Sequence, residues 1–148
     1  MATERKADMV WQGDLMNGSG TIGSTTSGAL PQLDVSWPAR SEEPGGKTSP
    51  EELIAAAWAS CFAMALSNVL AQAGNPPERL ATSATVTFQP GPGIVKGALT
   101  VVGTVPGIDE DAFREAADDA KQNCPVSKAL TGIPEVSLDA RLDASPNV

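Results

Sequence analysis

Cys61 and Cys124 are the only thiols in this chain of 148 residues, which also holds no histidine and no tyrosine. The missing histidine removes Ser-His-Asp and Cys-His hydrolysis and nearly all common zinc sites. The missing tyrosine removes phenol-based acid catalysis. No cofactor and no metal are expected, and the reactive equipment is two cysteines with carboxylates, lysines and arginines. Taken singly, Cys61 is as readily a small buried hydrophobe as a reactive group. Cys124 stands directly before Pro125, where it would cap a helical turn. Free backbone N–H groups and the helix dipole favour a thiolate there, and Lys121 and Lys128 lie within sequence range. The cysteines are 63 residues apart, so there is no local C-x-x-C motif and any contact between them must be made by the fold. A cysteine pair in a reducing compartment is more often redox-active than structural. Three readings stay open at this point: a thiol peroxidase, an oxidoreductase acting on protein disulfides (disfavoured without C-x-x-C), and a binding or structural dimer with passenger cysteines.

The elements that must position these groups are legible from the pattern. Ser49-Pro-Glu-Glu is a helix start with Ser49 as N-cap, Pro50 at the first position and Glu52 closing a capping box. The helix is alanine-rich and apolar on nearly every face up to Gly74, and Asn75-Pro-Pro77 stops it. A helix apolar all round belongs in the centre of a fold or an assembly. Ahead of it, strands from about 7 to 15, 21 to 27 and 30 to 37 form a small meander with a turn at Met16-Asn-Gly-Ser-Gly20. Residues 40 to 49 form a loop by composition. After it, a long hairpin covers 80 to 89 and 94 to 105, a helix capped by Asp109 covers 108 to 122, a short helical segment follows Cys124, and 136 to 142 is a last strand. This is the pattern of one α+β domain over residues 1–148.

Composition narrows the partners. Net charge is −8, and the 10 basic residues are scattered, so neither nucleic acid nor an anionic membrane surface is an expected partner. The apolar run from Leu53 to Ala73 is long enough to span a bilayer, but Ser60, Ser67, Asn68 and Gln72 interrupt it and no basic residues flank it; a buried helix is the expectation. Glu4, Arg5, Lys6 and Asp8 give the N-terminus no signal-peptide character, so a cytoplasmic protein is expected.

The segment Thr48-Ser-Pro-Glu-Glu-Leu-Ile-Ala-Ala-Ala-Trp-Ala-Ser-Cys-Phe-Ala-Met-Ala-Leu-Ser67 closely resembles the signature of the OsmC/Ohr family of osmotically inducible and organic-hydroperoxide-resistance proteins. Val105-Pro-Gly-Ile108 and Cys124-Pro-Val-Ser127 agree in order and spacing, and Trp11-Gln-Gly-Asp14 and Glu135-Val-Ser-Leu-Asp139 resemble the family's first and last strands. The resemblance covers essentially the whole chain and lies nearer the OsmC branch, with Glu52 where the Ohr branch usually has Gln. It implies an intertwined homodimer whose antiparallel sheets wrap paired central helices. It also implies a stress-defence peroxidase that reduces organic hydroperoxides, and hydrogen peroxide less well, with a thiol or dithiol as reductant. By motif position Cys61 is the peroxidatic and Cys124 the resolving cysteine, with Glu51 and Arg40 as the polar pair that activates the thiol. Trp58 stands three before the cysteine, where relatives often carry His or Tyr, and with Ile54, Phe62 and Met64 it is a candidate for an apolar pocket wall.

These roles raise a geometric condition. Glu51 and Cys61 are ten residues apart, which in one straight helix is about 15 Å along the axis. Either the helix breaks between them or Glu51 serves the Cys61 of a partner chain, and the all-round apolar helix favours the partner.

Overall fold

A computed structural model describes residues 1–143. The chain opens on three strands, β1 (Ala7–Gln12), β2 (Ser19–Thr25) and β3 (Leu33–Val35), paired antiparallel in sequential order. A short helix, α1 (Trp37–Ser41), leads to the long α2 (Pro50–Gln72). The hairpin of β4 (Arg79–Gln89) and β5 (Gly93–Thr104) follows, then α3 (Glu110–Asn123), α4 (Pro125–Ala129) and β6 (Glu135–Leu142).

The α+β expectation holds, with two departures. The sheets are not wholly antiparallel, because β6 pairs with β5 in parallel. The connection explains this: a tight hairpin joins only antiparallel neighbours, whereas α3 and α4 form the helical crossover that a parallel return needs. The second departure is that residues 40 to 49 are not all loop. Arg40 lies in the last turn of α1, which Ser36 caps through its side chain with proline in the first turn. The Ser36-Trp-Pro start signal was present but short.

Helix α2 forms as its caps predict. Ser49 accepts from the Glu52 N–H, and Gly74 turns the chain away at φ +87. Trp58, Phe62, Leu66 and Leu70 recur every fourth residue and make one buried stripe. The stripe packs with Leu99 and Val101 of β5 and with Phe113, Ala117 and Ala120 of α3. Burial of each large side chain there contributes about 1.5–3 kcal/mol. Two glycines of β5 exist for this packing. A Cβ on Gly97 would stand 2.6 Å from the Trp58 ring, and one on Gly103 would stand 2.6 Å from Phe113.

The opposite face of α2 is open. Ala56, Ala57, Ser60, Met64, Asn68 and Ala71 are exposed. So is every residue of β1, with Met9, Val10 and Trp11 among the large exposed hydrophobics. The accessible surface is 9310 Å², whereas a compact chain of this mass exposes roughly 7,100 Å². The helix is thus a core helix on one side only.

Candidate active site

The fold brings the two cysteines together. Cys61 sits in the middle of α2, half-buried, at the border between the buried stripe and the open face. Cys124 closes α3 and opens α4 and is fully buried, 0% exposed. Their sulfurs are 3.0 Å apart, within one S–H···S hydrogen bond, and both are free thiols. A disulfide needs about 2.05 Å, so closing the bond takes a movement of about 1 Å.

The surroundings treat the two thiols differently. Burial pushes the Cys61 thiol up, and the neighbouring Cys124 raises it further, against a smaller opposing pull from the Val126 N–H. Burial also acts upward on Cys124, but Cys61, the Ser127 N–H and hydroxyl and the Val126 N–H together carry it below its ordinary value. The N–H···S contacts fall short of capping geometry and act on the sulfur through their dipoles. Among the described residues no cation acts on the Cys61 thiol. The sulfur that a solute can reach is the one left unactivated.

The expected activating pair forms, but elsewhere. Glu51, in the first turn of α2, is buried at 5% exposure. It accepts from Arg40 Nε at 3.0 and 3.2 Å and from Arg40 Nη2 at 2.8 Å. The guanidinium also lies over the Phe88 ring, 4.2 Å from its centroid, and Trp37 meets Phe88 edge-on at 5.9 Å. This grip fixes the plane of the guanidinium. Nε and Nη2 go to Glu51, and no acceptor meets Nη1 among the described residues. A cleft of about 340 Å³ opens beside the pair, walled by Ala55, Val86 and Phe88 among others.

Because α2 runs unbroken from Pro50 to Gln72, the pair lies about 15 Å along the axis from Cys61 of the same chain. A break in the helix is excluded. The four sequence-predicted site residues therefore form two groups, the thiols at mid-helix and the ion pair at its N-terminus.

Of the expected pocket walls, Phe62 is core at 0% exposure, Ile54 is half-buried and Met64 is 72% exposed on the open face. Trp58 is buried, and its indole N–H donates to Ser127 Oγ at 2.8 Å. Phe88 and Trp37 escaped the sequence reading: nothing local connects a strand aromatic to an arginine far back in the chain. Ser127 was visible in the Cys-Pro-Val-Ser motif, although its partner was not. Among the described residues no cluster of three or more Cys, Asp or Glu side chains could hold a metal ion.

Comparison with known proteins bears on the family and the fold. The family model of OsmC-like proteins matches residues 43–139. The chain is 42% identical to peroxiredoxin OsmC of Escherichia coli K12 over 145 residues, 96% of this chain and 99% of the relative. It is 34% identical over 98 residues to an organic hydroperoxide resistance protein of Xanthomonas axonopodis pv. citri, covering 64% of this chain and 67% of that one. Among solved structures, an organic hydroperoxide resistance protein OsmC from Legionella pneumophila superposes with a TM-score of 0.65 at 26% identity, covering 94% of this chain and 97% of the other.

Proposed function

The chain belongs to the OsmC-like protein family, and from that premise we propose that it is a cysteine-based peroxidase detoxifying organic hydroperoxides in stress defence, with Cys61 as attacker and Cys124 as resolver. One observation carries the assignment of roles: the two sulfurs are 3.0 Å apart and only Cys61 is accessible. A peroxide meets Cys61 first. The Cys61 thiolate attacks one peroxide oxygen, the O–O bond breaks, and the alkoxide leaves as the alcohol after taking a proton. The sulfenic acid formed on Cys61 then condenses with Cys124 to a disulfide and water. A thiol or dithiol reductant returns the pair to the reduced state.

The missing charge at Cys61 supports a second part of the proposal, that the active form is a homodimer with composite sites. An arginine stays charged and can donate to both a sulfur and a peroxide oxygen, and Arg40 keeps Nη1 for that purpose. If Arg40 and Glu51 of one chain serve Cys61 of the other, the two α2 helices run antiparallel and cross midway between positions 51 and 61, at Ala56. The open face there is Ala56, Ala57 and Ser60, small enough for close helix approach. The unusually large surface and the bare apolar side chains of β1 fit the same arrangement. The cleft beside Arg40 would then receive the alkyl part of the substrate. The apolar α2 needs no membrane under this reading, since the second copy covers it.

Ala57→Arg tests the crossing. Ala57 is exposed in the single chain, so the substitution meets no clash within it. In sedimentation it should convert dimer to monomer, and peroxidase activity should fall with the dimer. A fully active monomer would sink the composite site, and a fully active dimer would sink the crossing at Ala56.

A further inference from the structure

Trp58 is one of the largest fully buried side chains and stands one helical turn before Cys61, yet nothing in the peroxide chemistry above uses it. Its position is unusually determined. One edge of the ring lies against Gly97, where a Cβ would be 2.6 Å from Cζ3 and 2.8 Å from Cη2. Its one polar atom, Nε1, reaches across to α4 and donates to Ser127 Oγ at 2.8 Å. A hydroxyl has one proton and two lone pairs. With a lone pair filled by the indole, the Ser127 proton is left for another acceptor, and the Ser127 hydroxyl and N–H both act on the Cys124 sulfur. The chain of contacts is thus Gly97 backing Trp58 and Trp58 holding Ser127, which lies in the helical turn that Cys124 opens.

We propose that Trp58 is a positioning residue for the resolving step, its indole N–H holding Ser127 so that the Cys124-Pro-Val-Ser turn keeps the two sulfurs in bonding range. The proposal rests on the reading of Cys124 as resolver. In that step the Cys124 thiolate attacks the sulfenic sulfur of Cys61, the S–S bond forms and the S–O bond breaks. The departing hydroxide takes a proton and leaves as water, so the Cys61 sulfur is reduced while the Cys124 sulfur is oxidised. The step has two demands, proximity and a thiolate on Cys124. Ser127 serves the first through the turn, in which the Lys128 N–H donates to the Cys124 carbonyl at 3.0 Å, and the second through the dipoles of its hydroxyl and N–H, which favour the charged sulfur. Trp58 touches neither sulfenic oxygen nor peroxide, so its effect belongs to closure and not to attack.

Trp58→Phe keeps an aromatic ring but removes the N–H together with part of the indole, and Ser127→Ala removes only the acceptor. In stopped-flow single turnover with cumene hydroperoxide, both should oxidise Cys61 at close to the native rate. Disulfide closure, followed by the lifetime of the sulfenic acid towards dimedone, should slow about tenfold, the effect of one lost hydrogen bond of about 1.4 kcal/mol. The pH at which closure reaches half its maximal rate should rise in both variants, and the double variant should be no slower than the slower single one. Closure at the native rate, or equal slowing of attack and closure, overturns the proposal. Should Trp58→Phe fail to fold, Ser127→Ala alone decides between those results. If the native protein formed no Cys61–Cys124 disulfide under peroxide, the resolver assignment itself would fall, which separates the two failures.

Discussion

Cys61→Ser is expected to abolish hydroperoxide reduction, with a loss of a thousandfold or more, on the order seen when an enzyme loses its nucleophile. Serine keeps the shape of the site and the contact with Cys124, but its hydroxyl is not ionised near neutral pH and attacks the O–O bond poorly. Cys124→Ser should give a different defect. Its first turnover should still run, because the access of solute to Cys61 is untouched. The sulfenic acid should then persist, be trapped by dimedone, and go on to the sulfinic acid in excess peroxide. Counting thiols after cumene hydroperoxide separates the cases: two lost per native chain, and none lost to peroxide in Cys61→Ser. Loss of the Cys124 thiol in Cys61→Ser, at the native rate, would reverse the assignment. Burial at 0% exposure argues against that outcome, although the environment of Cys124 is the one that favours a thiolate.

Arg40→Ala should lower kcat/KM for hydroperoxide by about a hundredfold, the usual cost of removing one preorganised charge or donor from a transition state. Arg40→Lys should recover only part of that, since lysine keeps the charge but not the fork that binds Glu51 and leaves Nη1 outward. The pH dependence gives the sign. Within a single chain, burial and Cys124 raise the Cys61 thiol above its ordinary value. Without Arg40 the reactive thiolate should therefore appear only at higher pH, and iodoacetamide should alkylate Cys61 along a curve displaced upward from the native one. Superimposable curves would mean that Arg40 does not act on the thiol. The substitution also leaves Glu51 buried without its partner, so melting should be compared for native and variant protein.

Much of this site was legible in the sequence because its pieces are local motifs. The Ser49-Pro-Glu-Glu start defines where α2 begins, and so defines the ten-residue gap between Glu51 and Cys61. Asp109 and Pro125 mark the helices that carry Cys124 back to the middle of α2. Other features are products of packing and have no local signature. The contacts of the Phe88 ring with Arg40 and with Trp37 join a strand to a short helix far away in sequence. The parallel pairing of β6 depends on how α3 and α4 lie across the sheet. The second role of Trp58 has no local signal: its polar edge is engaged by Ser127, 69 residues on.

Complementation shows whether thiol and guanidinium come from different chains. Cys61→Ser and Arg40→Ala subunits, each impaired alone, are co-expressed and allowed to assemble together. With random pairing about half the dimers are mixed, and each mixed dimer holds one site with an intact Cys61 facing an intact Arg40. Peroxidase activity should therefore return to about one quarter of the native value, from symmetric pairing in a two-fold dimer. If the mixture is no more active than its two components measured apart, the site lies within one chain and the composite arrangement is wrong.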